Sequence, residues 1–223
     1  MTTLLLSVFL TANCFFTEFK EECVGALDFF KVHKEIRSEL KRTLHKDELD
    51  IAMAIVAPEV GMYSMVEDIV EYKTMCLLYI QFGIGDFSIG CFQMKPSFAE
   101  ALETKLKNNH KLRKKHSNLI ITCKNEKETR KTRIDRLITS QWQAKYLAAF
   151  IDIVKMQTHN LDLQSLKKKV MYWATLYNSG LNLSESEVEK LQSMHLFPRS
   201  IGEYNYGEVA WDFYMHMNNI EHK

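Results

Sequence analysis

Proline and glycine are scarce: the chain has three prolines and eight glycines in 223 residues. A β-sandwich needs a turn every ten residues or so, and turns are built largely from these two residues. The shortage argues against that class and favours long helices. Zinc-type spacing is missing as well. None of the five cysteines (Cys14, Cys23, Cys76, Cys91, Cys123) forms a CxxC pair, and none of the eight histidines supplies an HExxH arrangement. Metal catalysis therefore has no support, and nothing calls for a cofactor. The cysteines read as buried free thiols, with a disulfide left open if the chain is exported. No run approaches the roughly 20 apolar residues of a transmembrane helix. The net charge of +1 gives no overall bias toward one kind of partner.

Apolar residues make up 46% of the chain, enough for the core of one domain, so 21–223 is expected to be a single domain. Residues 1–20 read as an export signal or an N-terminal helix. The run Leu4–Leu10 and Ala12 suit a signal, but no Lys or Arg precedes Lys20. Capping boxes predict helix starts at Ser64, Ser97, Ser140 and Ser184, each with Glu or Gln three residues on. After Ser140, the residues Trp142, Tyr146, Leu147, Phe150, Ile151 and Val154 form a stripe of helical period. Further helices are expected near 25–44, 47–59, 162–178 and 206–219. Ile51–Ala57 is apolar on nearly every side, as a buried helix is.

One segment stands apart. Between Lys105 and Arg136 basic residues outnumber acidic ones twelve to three. It reads as a basic insertion, with a short strand at Asn118–Thr122. It is either a solvated extension or an electropositive arm for an anionic envelope polymer. No aromatic residue interrupts it, so nucleic acid is not expected as a partner.

The most specific stretch is Gly85-Asp-Phe-Ser-Ile-Gly90-Cys-Phe-Gln93-Met-Lys-Pro96, in which Gly-x-x-Gln-x-x-Pro leads into a helix. A glycine permits close backbone approach to a ligand, and the glutamine amide both donates and accepts, which suits an amide-bearing sugar. This stretch resembles the Gly-Leu-Met-Gln-x-x-Pro signature of soluble lytic transglycosylases in the lysozyme-like superfamily and, more distantly, the Gly-Ile-Phe-Gln of animal lysozymes. Three further islands follow the family's order. Ile51–Glu59 is similar to its buried helix ending in the catalytic glutamate. Ala174-Thr-Leu-Tyr177-Asn178-Ser-Gly180 is similar to its Ala-Tyr-Asn-Ala-Gly, and Asn205-Tyr206-Gly-Glu-Val209 to its late Asn-Tyr element. Between them, Gln141–Val154 resembles the helix that precedes the Tyr-Asn motif.

The resemblance implies an all-α, lysozyme-like domain that cleaves the MurNAc–GlcNAc bond of peptidoglycan in the cell envelope, in the periplasm. Glu59 would be its single acid. Gly90, Gln93, Tyr177, Asn178 and Tyr206 would be its substrate-side residues, with Tyr177 steadying the glutamate and Asn178 supporting the turn. Physical chemistry agrees with an acid there, because burial and the negative end of a helix both disfavour a carboxylate. The second carboxylate of animal-type hydrolases would stand at Ser88, with Asp86 nearby only if the backbone is displaced. Its absence accords with the transglycosylase route.

Two departures stand against the family pattern. Val60 replaces a serine after the glutamate, and an inserted helix, Met65 to Phe82, precedes the Gly-x-x-Gln motif. That helix could roof the cleft, or carry the acid as Glu67 or Glu71. The alternatives are a non-catalytic glycan-binding or structural envelope protein, and a goose-type lysozyme or chitinase-like hydrolase.

Overall fold

The apolar run Ile51–Ala57 is the middle of α4 (Lys46–Met62), about which the other helices gather. Asp47 and Glu48 in its first turn complement the positive helix end. From Leu49 to Met62 every residue is buried except Glu59, which is half exposed. Pro58 lies inside the helix rather than at its exit. It removes one intrahelical hydrogen bond, from the Ala54 carbonyl, yet the helix continues to Met62.

The computed structural model describes residues 14–62, 69–163, 165–198 and 202–221. Before α4 come α1 (Cys14–Glu18), α2 (Lys20–Val32) and α3 (Lys34–Lys41). After it come α5 (Ile69–Phe82), α6 (Pro96–Asn108), α7 (His110–Lys115), α8 (Glu126–Leu137), α9 (Ser140–Gln157), α10 (Leu166–Ser179), α11 (Glu185–Gln192) and α12 (Tyr206–Glu221). Helices α2, α3, α9, α10 and α12 pack on α4, while α5 packs on α8. The described residues contain no strand, only the isolated antiparallel bridges Ile89–Met94 and Phe197–Tyr204. The fold is all-α, and no described helix is long and apolar enough to cross a membrane.

Several local expectations are corrected. The helix expected over 25–44 begins earlier and breaks at His33, whose ψ of 62° leaves the helical region. The break turns α3 so that Ile36 and Leu40 are buried. Ser97 does not cap its helix: Pro96 occupies the first helical position, and the Ser97 N–H donates to Asp86 Oδ1 at 3.2 Å. Ser140 does not cap either. It lies one residue inside α9, and its hydroxyl donates to Glu35 Oε1 at 3.3 Å. The Ser184 box forms in full, and Ser64 lies outside the described residues. Asn118–Thr122 is not a strand, since a 3-10 turn (Ser117–Leu119) and irregular chain occupy it without a pairing partner.

The cysteines divide: Cys23 is buried, Cys76 and Cys91 are half-buried, and Cys123 is exposed, all as free thiols. The chain from Phe15 onward is built into the core. Phe15 and Phe19 are buried, and Phe15 meets Tyr204 edge-on at 5.1 Å. The rest of the export reading, residues 1–13, lies outside the described residues.

The basic segment is docked rather than free. Leu106, Leu112, Leu119, Ile134 and Leu137 are all in the core. Several of its cations are consumed internally. Arg133 is buried between Glu103 Oε2 (2.7 Å) and Glu100 Oε1 (2.8 Å), and also donates to Tyr79. Tyr146 donates to Glu103 at 2.7 Å, so this cluster fastens α5, α6, α8 and α9 together. Buried His116 and Lys115 both hold Asp152 of α9, at 2.6 and 2.7 Å.

Candidate active site

Glu59 is the only side chain that α4 offers to solvent between Leu49 and Met62. Two tyrosines from distant segments stand beside it. Tyr206, the first residue of α12, donates its hydroxyl to the Ile55 carbonyl at 2.9 Å, one helical turn before Glu59. The Glu59 side chain also acts on that hydroxyl. Burial first, and then the Glu59 charge, push the Tyr206 phenol well above its ordinary value. Tyr177, near the end of α10, is raised in the same way by burial, then by Glu59, then by Cys91. Both phenols therefore stay neutral across the working range and keep a proton to donate.

Tyr177 connects the acid to the Gly-x-x-Gln stretch, since its hydroxyl donates to the Phe92 carbonyl at 2.6 Å. That stretch is a tight turn. Ile89 and Met94 exchange backbone hydrogen bonds at 3.0 and 3.1 Å, and the Gln93 N–H returns to the Gly90 carbonyl at 3.0 Å. Gly90 has a φ of 66° and Gln93 a φ of 51°, both in the left-handed region. The Gln93 amide also donates to the Gly90 carbonyl, at 3.0 Å, leaving its amide oxygen for a partner outside the turn.

Gly90 is required for a different reason from the one the sequence implies. A Cβ built there would overlap the Gln143 amide nitrogen and the Leu137 carbonyl oxygen. The close approach seen here is to the end of α8 and to α9. Asn178 departs from expectation too. It is exposed, and no hydrogen bond ties it to the turn. It opens instead into a surface pocket shared with Tyr206, Asn205, Leu191, Leu196 and Phe197.

Tyr177 is thus joined to the Gly90–Gln93 turn and Tyr206 to the helical turn before Glu59, both phenols feel the Glu59 charge, and Asn178 shares a surface pocket with Tyr206. Asp86 is occupied elsewhere, capping α6 through Ser97 and pairing with Lys95 at 3.8 Å. Of the rival acids, Glu67 lies outside the described residues, as does the side chain of Glu71. The helix that carries Glu71, α5, rests on α8 and, through Tyr72 and Phe87 (ring centres 6.0 Å apart), on the chain entering the turn. Among the described residues no group of His, Cys, Asp and Glu side chains is arranged to hold a metal ion.

Two residues that matter here were misjudged or passed over from sequence. Gln143, fully buried, reaches into the turn rather than capping a helix. Its signal was present, because it is a polar residue in register with the stripe of Tyr146, Leu147 and Phe150. Asn205 caps α12, accepting from the N–H groups of Gly207 (2.9 Å) and Glu208 (3.2 Å). Its amide donates to the carbonyls of Leu191, Gln192 and Met194, tying the end of α11 to the start of α12. Asn205-x-x-Glu208 has the spacing of a helix start. Comparison of the chain with protein-family models, curated proteins and solved structures finds no match to any of them.

Proposed function

We propose that this chain is a lysozyme-like peptidoglycan lytic transglycosylase with Glu59 as its single acid and base. One observation carries the reading. Between Leu49 and Met62 the one residue that the buried apolar helix leaves partly open to solvent is a glutamate, its charge acts on two neutral tyrosines, and one of these is hydrogen-bonded to the Gly90–Gln93 turn. Those are the parts, in the order, that the family resemblance implies.

In the proposed reaction the Glu59 carboxylic acid gives its proton to the glycosidic oxygen as the C1–O bond breaks. The resulting carboxylate then takes the proton of the muramic acid 6-hydroxyl as that oxygen closes on C1. The product is a 1,6-anhydro sugar, and the acid is restored. Tyr206 suits both stages: its hydroxyl, which donates to the Ile55 carbonyl, can turn to the Glu59 carboxylate once the proton has left. Gln93 would hold the sugar through its amide oxygen. Asp86, the one carboxylate beside the Ser88 position in sequence, is engaged with α6 instead, which favours anhydro-ring closure over the hydrolase alternative. Such an enzyme would work in the cell envelope.

Val60, apolar and nearly buried beside the acid, is the observation favouring the second reading, a glycan-binding protein without turnover. Digestion of purified sacculi followed by mass analysis separates the readings. Anhydromuropeptides are expected; reducing-end products would indicate a hydrolase, and binding without soluble products a binding protein. Glu59→Gln should lower turnover by about 10²–10⁴-fold, the usual worth of general acid–base catalysis, with the thermal midpoint held or slightly raised. Retained turnover in that variant would remove Glu59 from the mechanism.

A further inference from the structure

The Gln143 carboxamide lies fully buried inside the Gly90–Gln93 turn. Its oxygen accepts from the Phe92 N–H at 2.8 Å and the Cys91 thiol at 3.3 Å. Its nitrogen donates to the carbonyls of Ile89 and Leu137, the latter at 2.9 Å. A primary amide has two N–H donors and one oxygen with two lone pairs, so every polar site on the group is used. Glutamate would lose both donations, a residue one methylene shorter would not reach, and an apolar residue would orphan the Phe92 N–H. The overlap that a Cβ on Gly90 would create with this amide shows how closely the two are fitted.

The contact continues toward the acid. The residue whose N–H is held by Gln143 is the one whose carbonyl receives the Tyr177 hydroxyl, and the Glu59 charge acts on that phenol. We infer that Gln143 is a positioning residue of the active site: through the Phe92 backbone it holds the Gly90–Gln93 turn and Tyr177 in register with Glu59. It touches neither substrate nor acid itself. The catalytic part of this inference rests on the glycosidase reading; the structural part does not.

Two variants and two measurements test it. Hydrogen exchange over residues 89–94, corrected for intrinsic rates, reads the turn without any substrate. Gln143→Met, similar in length and unable to hydrogen-bond in the same way, should lower protection there at every pH while protection of α10 and α12 holds. Gln143→Glu should lower it near neutrality and recover it on acidification, because a protonated carboxyl again donates to one of the two carbonyls. A purely packing role would not produce that pH-dependent rescue. With glycan substrate, kcat should fall about ten- to a hundred-fold in both variants, the range that small misplacements cost. KM should stay within about two-fold, and kcat of Gln143→Glu should recover along with the protection.

Unchanged protection over 89–94 in Gln143→Met overturns the inference whatever the enzyme does. Lost protection with unchanged kcat overturns its catalytic part. If Gln143→Met fails to fold, Gln143→Glu at acidic and neutral pH decides by the rescue alone. If the wild-type protein releases no product from sacculi, the glycosidase reading and the catalytic part fall together, while the exchange result still decides whether Gln143 holds the turn.

Discussion

Asp152 shows how a single buried carboxylate ties stability to pH. Burial works to raise its pKa, but hydrogen bonds from His116 and Lys115, and their charges, outweigh burial and hold it below the usual aspartate range. A carboxyl lowered in the folded state stabilises that state fully above its unfolded value of about 3.9, and the contribution is lost as pH falls through the folded value. Unfolding midpoints in denaturant should therefore drop below about pH 4, and Asp152→Asn should flatten that acid limb. Part of the limb should remain, because Glu48, half-buried and bonded to Lys155, is lowered as well. Asp152→Ala should cost about 1–3 kcal/mol near neutrality, since it leaves the buried His116 ring without its partner. An acid limb unchanged in Asp152→Asn would show that the pair does not contribute.

The helices themselves were legible wherever a run of apolar residues had a clear period. The buried character of Ile51–Ala57, the stripe after Ser140, and the helices near 162–178 and 206–219 all follow from it. The joints were not, because tertiary partners decide them. Ser184 caps α11 as its local spacing dictates, on an exposed stretch where nothing competes. Ser97 and Ser140 had the same spacing, but Asp86 claims the Ser97 N–H and Glu35 claims the Ser140 hydroxyl. α5 is another case beyond local reading. Its outer side leaves Leu77 60% and Phe82 69% exposed, so burial alone holds it weakly. Tyr79 links it to Glu100 at 2.6 Å and to the buried Arg133. Arg133→Met should cost about 3–5 kcal/mol, because Glu103, 2% exposed, loses its counter-charge. Exchange should rise in α5 before it rises in α4 or α12. A variant that unfolds at the wild-type midpoint would show that the cluster holds nothing.

At the scale of the whole molecule, the order of the site's segments could be read from sequence, but the contacts that join them could not. The Gly-x-x-Gln spacing marks Gln93, and the family resemblance marks Glu59, Tyr177 and Tyr206. Their meeting depends on Gln143 under the turn and on Asn205 starting α12, polar groups whose partners lie far away in the chain. Charge distribution follows the same division. Arg133, His116 and Lys115 of the basic segment are used internally, whereas Lys107, Lys111, Arg113 and Lys114 stay exposed, with no ion pair among the described residues. They gather where α6 meets α7. The start of α6 adjoins the Gly90–Gln93 turn, and its thirteen residues span about 20 Å, so this cationic corner lies about one helix length from that turn. If it rests on an anionic wall polymer while Glu59 works on the glycan, binding to whole sacculi should weaken as salt rises through physiological strength, where screening acts over about 8 Å. Replacing Lys107, Lys111, Arg113 and Lys114 with glutamine should reduce sacculus binding about ten-fold or more at low salt. Cleavage of short soluble glycans should be unchanged, because none of the four residues belongs to the Glu59 site. If neither salt nor replacement alters binding in a sedimentation assay, the corner is only a solvated face, and any retention on the wall would have to come from the proposed Glu59 site.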